Sequence, residues 1–208
     1  MNPAKIRLSP TEMELVNNAE MILTKNAILK KVNQFLGHLQ AKQQLIVNFH
    51  AAVLPEKVSG SSPKISKGEN YKGLPYLILD YPRLFEHENI FTVRTLFWWG
   101  NFFSVTLHLT GNYKKEAEEK LFASYQVMKE KGYYCYINED QWEHHFEGAN
   151  YVLLSEMSKN DFEKSVWEKS FFKLTKKISL NQWDDAEELL LGYFKEIIEM
   201  LIDYPPRR

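Results

Sequence analysis

The sequence predicts an α+β fold, a mainly antiparallel sheet of about five to six strands packed with N-terminal and C-terminal helices. Apolar residues recur every three or four positions near both ends of the chain, which is the period of a helix. Between residues 74 and 157 they mostly alternate with the period of a strand. No G-x-G-x-x-G motif follows a strand, so a parallel nucleotide-binding sheet is not expected. We expect one domain over residues 1–208.

Residues 1–54 are predicted to form a helical segment. Ser9 can cap a helix, Pro10 suits its first position and Glu12 completes a capping box. This first helix is expected to end near Leu23, and a longer one is expected from about residue 26 to residue 53. The longer helix carries a narrow apolar stripe, which fits packing on a sheet or on a second copy of the chain.

Residues 55–73 are predicted to be a flexible loop, because Pro55 ends the helix and the segment after it is rich in Ser, Gly and Lys. A loop of this length is unusual inside a compact domain. It is expected to be either a mobile connection or a loop whose backbone N–H groups bind an anion beside its lysines. The Walker A pattern is absent from it.

Residues 74–157 are predicted to hold the sheet and one inserted helix, and residues 158–204 the C-terminal helices. Residues 74–81 read as a strand near a sheet edge, since Pro75 and Pro82 bracket it. Residues 171–180 fit a helix and a strand equally well.

Composition limits the classes of partner. The net charge is −1, without the basic excess of proteins that bind nucleic acid through phosphates, so no nucleic-acid partner is expected. No run of about 18 apolar residues is present, which argues against a membrane span. Cys135 is the only cysteine, so no intramolecular disulfide can form, and its apolar surroundings predict a buried, inert thiol. Without a signal peptide either, we expect a cytoplasmic protein, and no cofactor is indicated.

The stretch TLFWWGNFFSVTLHL, residues 95–109, is predicted to be a hairpin that turns at Gly100-Asn101. A two-residue turn would pair Trp99 with Phe102 and Trp98 with Phe103. One face of the hairpin would then be a core face. The other would be mixed, either covered by the N-terminal helix, or an interface between subunits, or the wall of a ligand pocket. That mixed face would consist of Val93, Thr95, Phe97, Trp99, Phe102, Ser104, Thr106 and His108.

Arg94 is the one charged residue on the predicted core face. A buried guanidinium needs a partner. Three placements satisfy this need: the rim of the sheet, an ion pair with an acid such as Asp80, or a ligand cavity.

Residues 139–147, EDQWEHHFE, are the only dense group of potential acid–base or metal-binding side chains. A strand would place Glu143, His145 and Glu147 on one side and Trp142, His144 and Phe146 on the other. The stretch is either a solvated strand or a site for general acid–base or metal chemistry. The H-E-x-x-H pattern is absent and a metal site would need further ligands such as Asp80, His87 or His108, so no metal site is assigned.

No catalytic motif emerges, and the preferred hypothesis is a non-catalytic protein that associates with a partner, most simply as a homodimer. The contact would use the mixed face of the hairpin or the stripe on residues 26–53. The alternative is a small-molecule binder or enzyme whose pocket lies between sheet and helices and uses Arg94, His108 and the cluster of Glu143, His144 and His145. The residues assigned to binding are Arg94, Phe97, Trp99, Phe102, His108 and His145.

Overall fold

A computed structural model describes residues 6–202 of the chain. Within this range six α-helices accompany one sheet. The helices are α1 (Pro10–Asn17), α2 (Ala19–Phe49), α3 (Glu56–Ser59), α4 (Gly111–Glu130), α5 (Lys159–Trp167) and α6 (Ala186–Met200).

The sheet has seven strands in the order β1-β2-β3-β4-β7-β5-β6, and its neighbouring strands pair antiparallel. The strands are β1 (Lys64–Tyr71), β2 (Leu74–Glu86), β3 (Asn89–Trp98), β4 (Phe102–Thr110), β5 (Tyr134–Tyr136), β6 (Tyr151–Leu153) and β7 (Phe171–Ser179). The predicted α+β class is confirmed, with one or two strands more than expected.

The flexible loop predicted for residues 55–73 is wrong. This segment forms the short helix α3 and the edge strand β1. The backbone of β1 pairs with β2, and this pairing does not require an apolar sequence. Polar side chains suit an outer strand, because charges such as Lys64 and Lys67 discourage pairing with another chain. Strand β2 is therefore the second strand of the sheet, next to the edge strand β1, which agrees with its predicted place near an edge.

Two predictions for the second half of the chain are corrected. Residues 158–204 are not all helical, because residues 171–179 form β7 between β4 and β5. Both faces of β7 are buried over its first five residues, and a strand covered on both faces loses the period of two that would identify it. The strand considered for residues 139–147 is absent, since residues 137–146 form an irregular loop. The predicted end of the C-terminal helices, at residue 204, lies outside the described residues.

The boundary between the first two helices lies earlier than predicted. Helix α1 ends at Asn17, and the side chain of Asn18 accepts a hydrogen bond from the backbone N–H of Met21 to cap α2. The capping box of Ser9 and Glu12 is present as expected. One face of the central part of α2 is buried against the sheet, through residues that include Val32, Leu36, Leu39 and Val47.

The hairpin register differs from the prediction by one residue. Trp98 pairs with Phe102 and Phe97 with Phe103, so the connection holds three residues, Trp99 to Asn101. Along each strand the side chains alternate between the two faces of the sheet, as predicted. Because the pairing is shifted by one residue, however, each side chain of β3 shares its face with the other set of β4 side chains. Phe97 and Phe103 therefore share the face that packs on α2 and α6, and Arg94 and His108 share the opposite face.

Candidate functional site

The sheet face opposite the helices carries a dense group of polar and charged side chains, which we call the polar face. The register aligns Arg83, Thr92, His108 and Lys173 in one row across β2, β3, β4 and β7. The adjacent row contains Asp80, Arg94, Thr106 and Thr175. Side chains directly opposite one another in an antiparallel sheet point to the same side. Strand pairing alone thus brings the residues of β7 beside those of the consecutive strands β2, β3 and β4, which lie far from β7 in the sequence.

Arg94 forms a buried ion pair with Asp80, the second of the three placements considered for it. Its Nε and Nη2 atoms donate to the two carboxylate oxygens at 2.7 and 3.0 Å. This two-point geometry is the strong form of a guanidinium–carboxylate contact. Nη1 donates to Nε2 of His144 at 3.0 Å. Because a guanidinium only donates, that nitrogen of His144 is an acceptor and the ring is neutral.

The loop of residues 137–146 covers the polar face and is tied to it by Lys173. The ammonium group of Lys173 donates to the carbonyl oxygens of Gln141 and Glu143, at 3.1 and 2.5 Å. It also lies 4.0 Å from the centre of the Tyr136 ring. Burial and the positive charge of Arg94 lower the pKa of Lys173 to about 7. The carbonyl and ring contacts compensate part of the cost of burying this charge.

Tyr71, at the end of β1, holds the far side of the same loop. Its phenolic oxygen accepts the backbone N–H groups of His144 and His145 at 2.6 and 3.2 Å. Its hydroxyl lies 3.2 Å from a carboxylate oxygen of Glu143. Burial raises the pKa of Tyr71 to about 12, so the phenol keeps its proton for donation. The edge strand missed in the sequence therefore supplies an anchor for the polar face.

His145 is held in one tautomer. The amide nitrogen of Asn150 donates to Nε2 of His145 at 3.1 Å, which makes that nitrogen an acceptor. The other ring nitrogen, Nδ1, lies 2.5 Å from a carboxylate oxygen of Glu143 and carries the proton. Two contacts from its own part of the chain therefore orient the His145 ring, and the hydroxyl of Tyr71 also lies 3.0 Å from Nδ1.

His108 is buried and neutral. Its Nε2 donates to the side-chain oxygen of Gln141 at 3.0 Å. Burial first, then the positive charges of Lys173 and Arg94, lower the pKa of His108 to about 3. The same causes place the pKa of His144 well below its usual value. Burial first, and then the positive potential that Arg94 and Lys173 create at this face, keep both imidazoles uncharged at neutral pH.

The residues assigned to binding from the sequence do not form one site. Arg94, Phe102 and His108 lie on the polar face, and His145 lies in the loop that covers it. Phe97 is buried on the helix-packed face, and Trp99 lies in the hairpin connection. His87, which was considered as a further metal ligand, has an almost fully exposed side chain.

Sequence reasoning missed Tyr71, Arg83 and Lys173 as members of the polar face. The alternation of Phe171, Lys173 and Thr175 would have placed Lys173 on it if residues 171–180 had been read as a strand. Tyr71 lies in residues 55–73, which were predicted to be a loop, so no strand alternation placed it on a face of the sheet. In residues 6–202 no group of three or more His, Cys, Asp or Glu side chains has the geometry to hold a metal ion.

Cys135 lies on β5 and is fully buried, as predicted. Burial raises the pKa of its thiol to about 12, and the thiolate is the reactive form. We expect an aromatic disulfide reagent at pH 8 to label the native protein at least a hundredfold more slowly than the protein in denaturant. Rapid labelling of the native protein, with a rate close to that of the denatured chain, would contradict this assignment.

The N-terminal helices form a second notable feature, an exposed apolar arm. None of the residues of α1 is buried, and the first two turns of α2 are almost as exposed. Large apolar side chains that are 46–68% exposed lie along this arm. They are Leu8, Met13, Leu15, Val16, Met21, Ile22 and Leu23. We call residues 8–24 the N-terminal arm.

A groove of about 470 Å³ opens at the base of the arm. Its apolar wall is formed by Met21, Ile28, Leu74, Pro75 and Trp99. The exposed apolar surface of the arm therefore continues into a concavity between α2 and the turns of the sheet.

Comparisons of the chain with protein-family models, with curated proteins and with solved structures found no match. Among the helices of residues 6–202, none combines the length and the apolar character needed to cross a membrane. The polar face and the N-terminal arm are therefore the two features from which a function can be inferred.

Proposed function

We propose that this protein works through association with a protein partner, and that the partner at the N-terminal arm is a second copy of the chain. The observation that carries the proposal is the exposure of α1, which has no buried residue within its own chain. The arm replaces the two surfaces named from the sequence. Both faces of the hairpin strands are buried, and the stripe on α2 packs largely against the sheet.

An eight-residue helix has little stability on its own in water. The capping box of Ser9 and Glu12 satisfies two backbone N–H groups at its start, which offsets only a small part of the cost of forming it. Packing of its apolar side chains against another surface would stabilise it much further. A contiguous apolar surface of this kind is typical of a contact with another protein.

Charge along the arm favours a second copy in antiparallel orientation. The first part carries Glu12, Glu14 and Glu20, and the later turns of α2 carry Lys30 and Lys31. A two-fold axis that crosses the arm would place the acidic part of one copy beside the basic turns of the other. A parallel arrangement would instead oppose like charges. The groove beside Trp99 would receive an apolar side chain from the tip of the partner arm.

Light scattering on a size-exclusion column tests this proposal. We expect a mass of twice the 24.6 kDa of one chain. The double substitution Val16→Ser and Leu23→Ser removes two exposed apolar side chains and should give a monomer with an unchanged circular dichroism spectrum. Both positions are well over half exposed, so the fold of each chain loses little.

Leu45→Ser is the matched control, since Leu45 is 70% exposed but lies toward the other end of α2. It should leave the dimer intact. A monomeric parent protein, or a dimer that Leu45→Ser dissociates and the arm variant does not, would overturn the assignment.

A further inference from the structure

The row of Arg83, Thr92, His108 and Lys173 has a composition unlike that of an ordinary sheet surface. Its members lie side by side across four strands, about 5 Å apart from strand to strand. Three of the four side chains carry nitrogen donors, and the row contains no carboxylate. In the neighbouring row Arg94 already has Asp80 as its counterion.

Two cations of the row lack a nearby counterion. Within residues 6–202, neither Arg83 nor Lys173 has a carboxylate oxygen within ion-pair distance. The guanidinium of Arg83 lies 5.4 Å from the centre of the Phe85 ring, and Lys173 contacts carbonyl oxygens and rings. Burial is the main cause of the lowered pKa of His108, and the charges of Lys173 and Arg94 lower it further.

Thr92 supplies an independent sign of a ligand position. Its side chain is fully buried between Arg83 and His108 in the row, and its hydroxyl has no hydrogen-bond partner among the described residues. An unpaired buried hydroxyl costs free energy that a bound acceptor atom would recover. Thr92 therefore offers a donor inside the row, beside the guanidinium of Arg83 on one side and the neutral imidazole of His108 on the other.

Trp142 and Gln141 cover the row from the loop of residues 137–146. The Trp142 ring centre lies 5.7 Å from that of His108 and 6.4 Å from that of Phe85. Its side chain is 48% exposed. It belongs to an irregular loop and not to a strand, so a ligand that displaces the Trp142 side chain breaks no strand pairing.

We propose that this row binds the oxyanion group of a small molecule, a phosphate or a carboxylate, beneath Trp142. The Thr92 hydroxyl donates to the anion, while Arg83 and Lys173 provide the charge that holds it. The inference is independent of self-association, because the row and the N-terminal arm share no residue.

Thermal unfolding of the full chain tests the proposal, with inorganic phosphate and benzoate as probes against sodium chloride of equal ionic strength. A ligand that binds only the folded state raises the melting temperature. A larger shift with phosphate identifies a phosphate site, and a larger shift with benzoate identifies a carboxylate site. Equal melting temperatures in all three solutions would overturn the proposal.

Thr92→Val is the decisive variant, because it replaces the unpaired hydroxyl by a methyl group of the same shape. Without anion, its melting temperature should equal or exceed that of the parent protein. Calorimetric titration with the active anion should show binding weakened roughly tenfold or more. Arg83→Met should also weaken binding, and Lys64→Met, at an exposed position on β1, should not. Unchanged affinity in Thr92→Val, or a lower melting temperature without anion, would show that the hydroxyl serves the fold and not a ligand.

Discussion

Replacing Asp80 by alanine will lower the free energy of unfolding by about 3–5 kcal/mol, because it leaves Arg94 buried without its carboxylate. Arg94 loses two charge-assisted hydrogen bonds and keeps its contact with His144. The charge cannot be removed by deprotonation, since a guanidinium remains protonated in proteins. Urea unfolding at pH 7, followed by circular dichroism, measures the loss.

The double variant Asp80→Ala and Arg94→Leu separates the ion pair from other effects at this site. Removing both charges ends the need to solvate either one, so the double variant should be more stable than Asp80→Ala alone. As a surface comparison, Glu86→Ala breaks the exposed ion pair with Lys57 and should change stability very little, because solvent screens that pair. An equally small change in Asp80→Ala would contradict a buried pair.

Asp80 and Arg94 also show which part of the site could be predicted from the sequence. Asp80 was named as an acid that Arg94 could meet, on the ground that a buried guanidinium needs a partner. The face on which they meet was assigned wrongly to the core, because the hairpin connection has three residues and not two. A turn of Gly and Asn fits both lengths, so local sequence did not fix the register.

The helices and the aromatic strands were predictable because their patterns arise within single elements. The polar face was not, because it is assembled by strand order. Lys173 reaches His108 only because β7 lies beside β4, which no local pattern indicates. Tyr71 and His144 meet because the loop of residues 137–146 reaches β1 across the sheet. Such contacts depend on the global curvature of the sheet and on the order of its strands.

The two features assigned to function differ in the way their side chains are used. On the polar face most polar groups bond to one another, as Glu143 does with Tyr71 and His145, which rigidifies the loop above the sheet. Thr92 departs from this rule, because its buried hydroxyl has no hydrogen-bond partner among the described residues, and the anion proposal rests on this exception. The N-terminal arm is an exception of another kind. Its large apolar side chains are exposed, whereas such side chains are usually buried.

Acidification from pH 6.5 to pH 4.5 will cost about 2 kcal/mol of stability through His108 alone. The pKa of His108 is about 3 in the folded protein and 6.5 when the residue is free of the fold. Between these values the unfolded chain binds a proton at this site and the folded chain does not. Stability therefore falls as the pH decreases through this window, and the loss is complete only below the folded pKa. His144 acts in the same direction.

The substitution His108→Gln isolates this contribution from those of other groups. Glutamine retains an N–H group to donate to Gln141 but cannot take up a proton. Urea unfolding at several pH values should show that the variant loses about 2 kcal/mol less than the parent protein over the same interval. His87→Gln, at an almost fully exposed histidine, should follow the parent curve. Parallel curves for His108→Gln and the parent would mean that the folded protein protonates His108 as readily as the unfolded chain does. The positive potential inferred for the polar face would then be wrong, because that potential and burial are the two causes that keep this imidazole neutral.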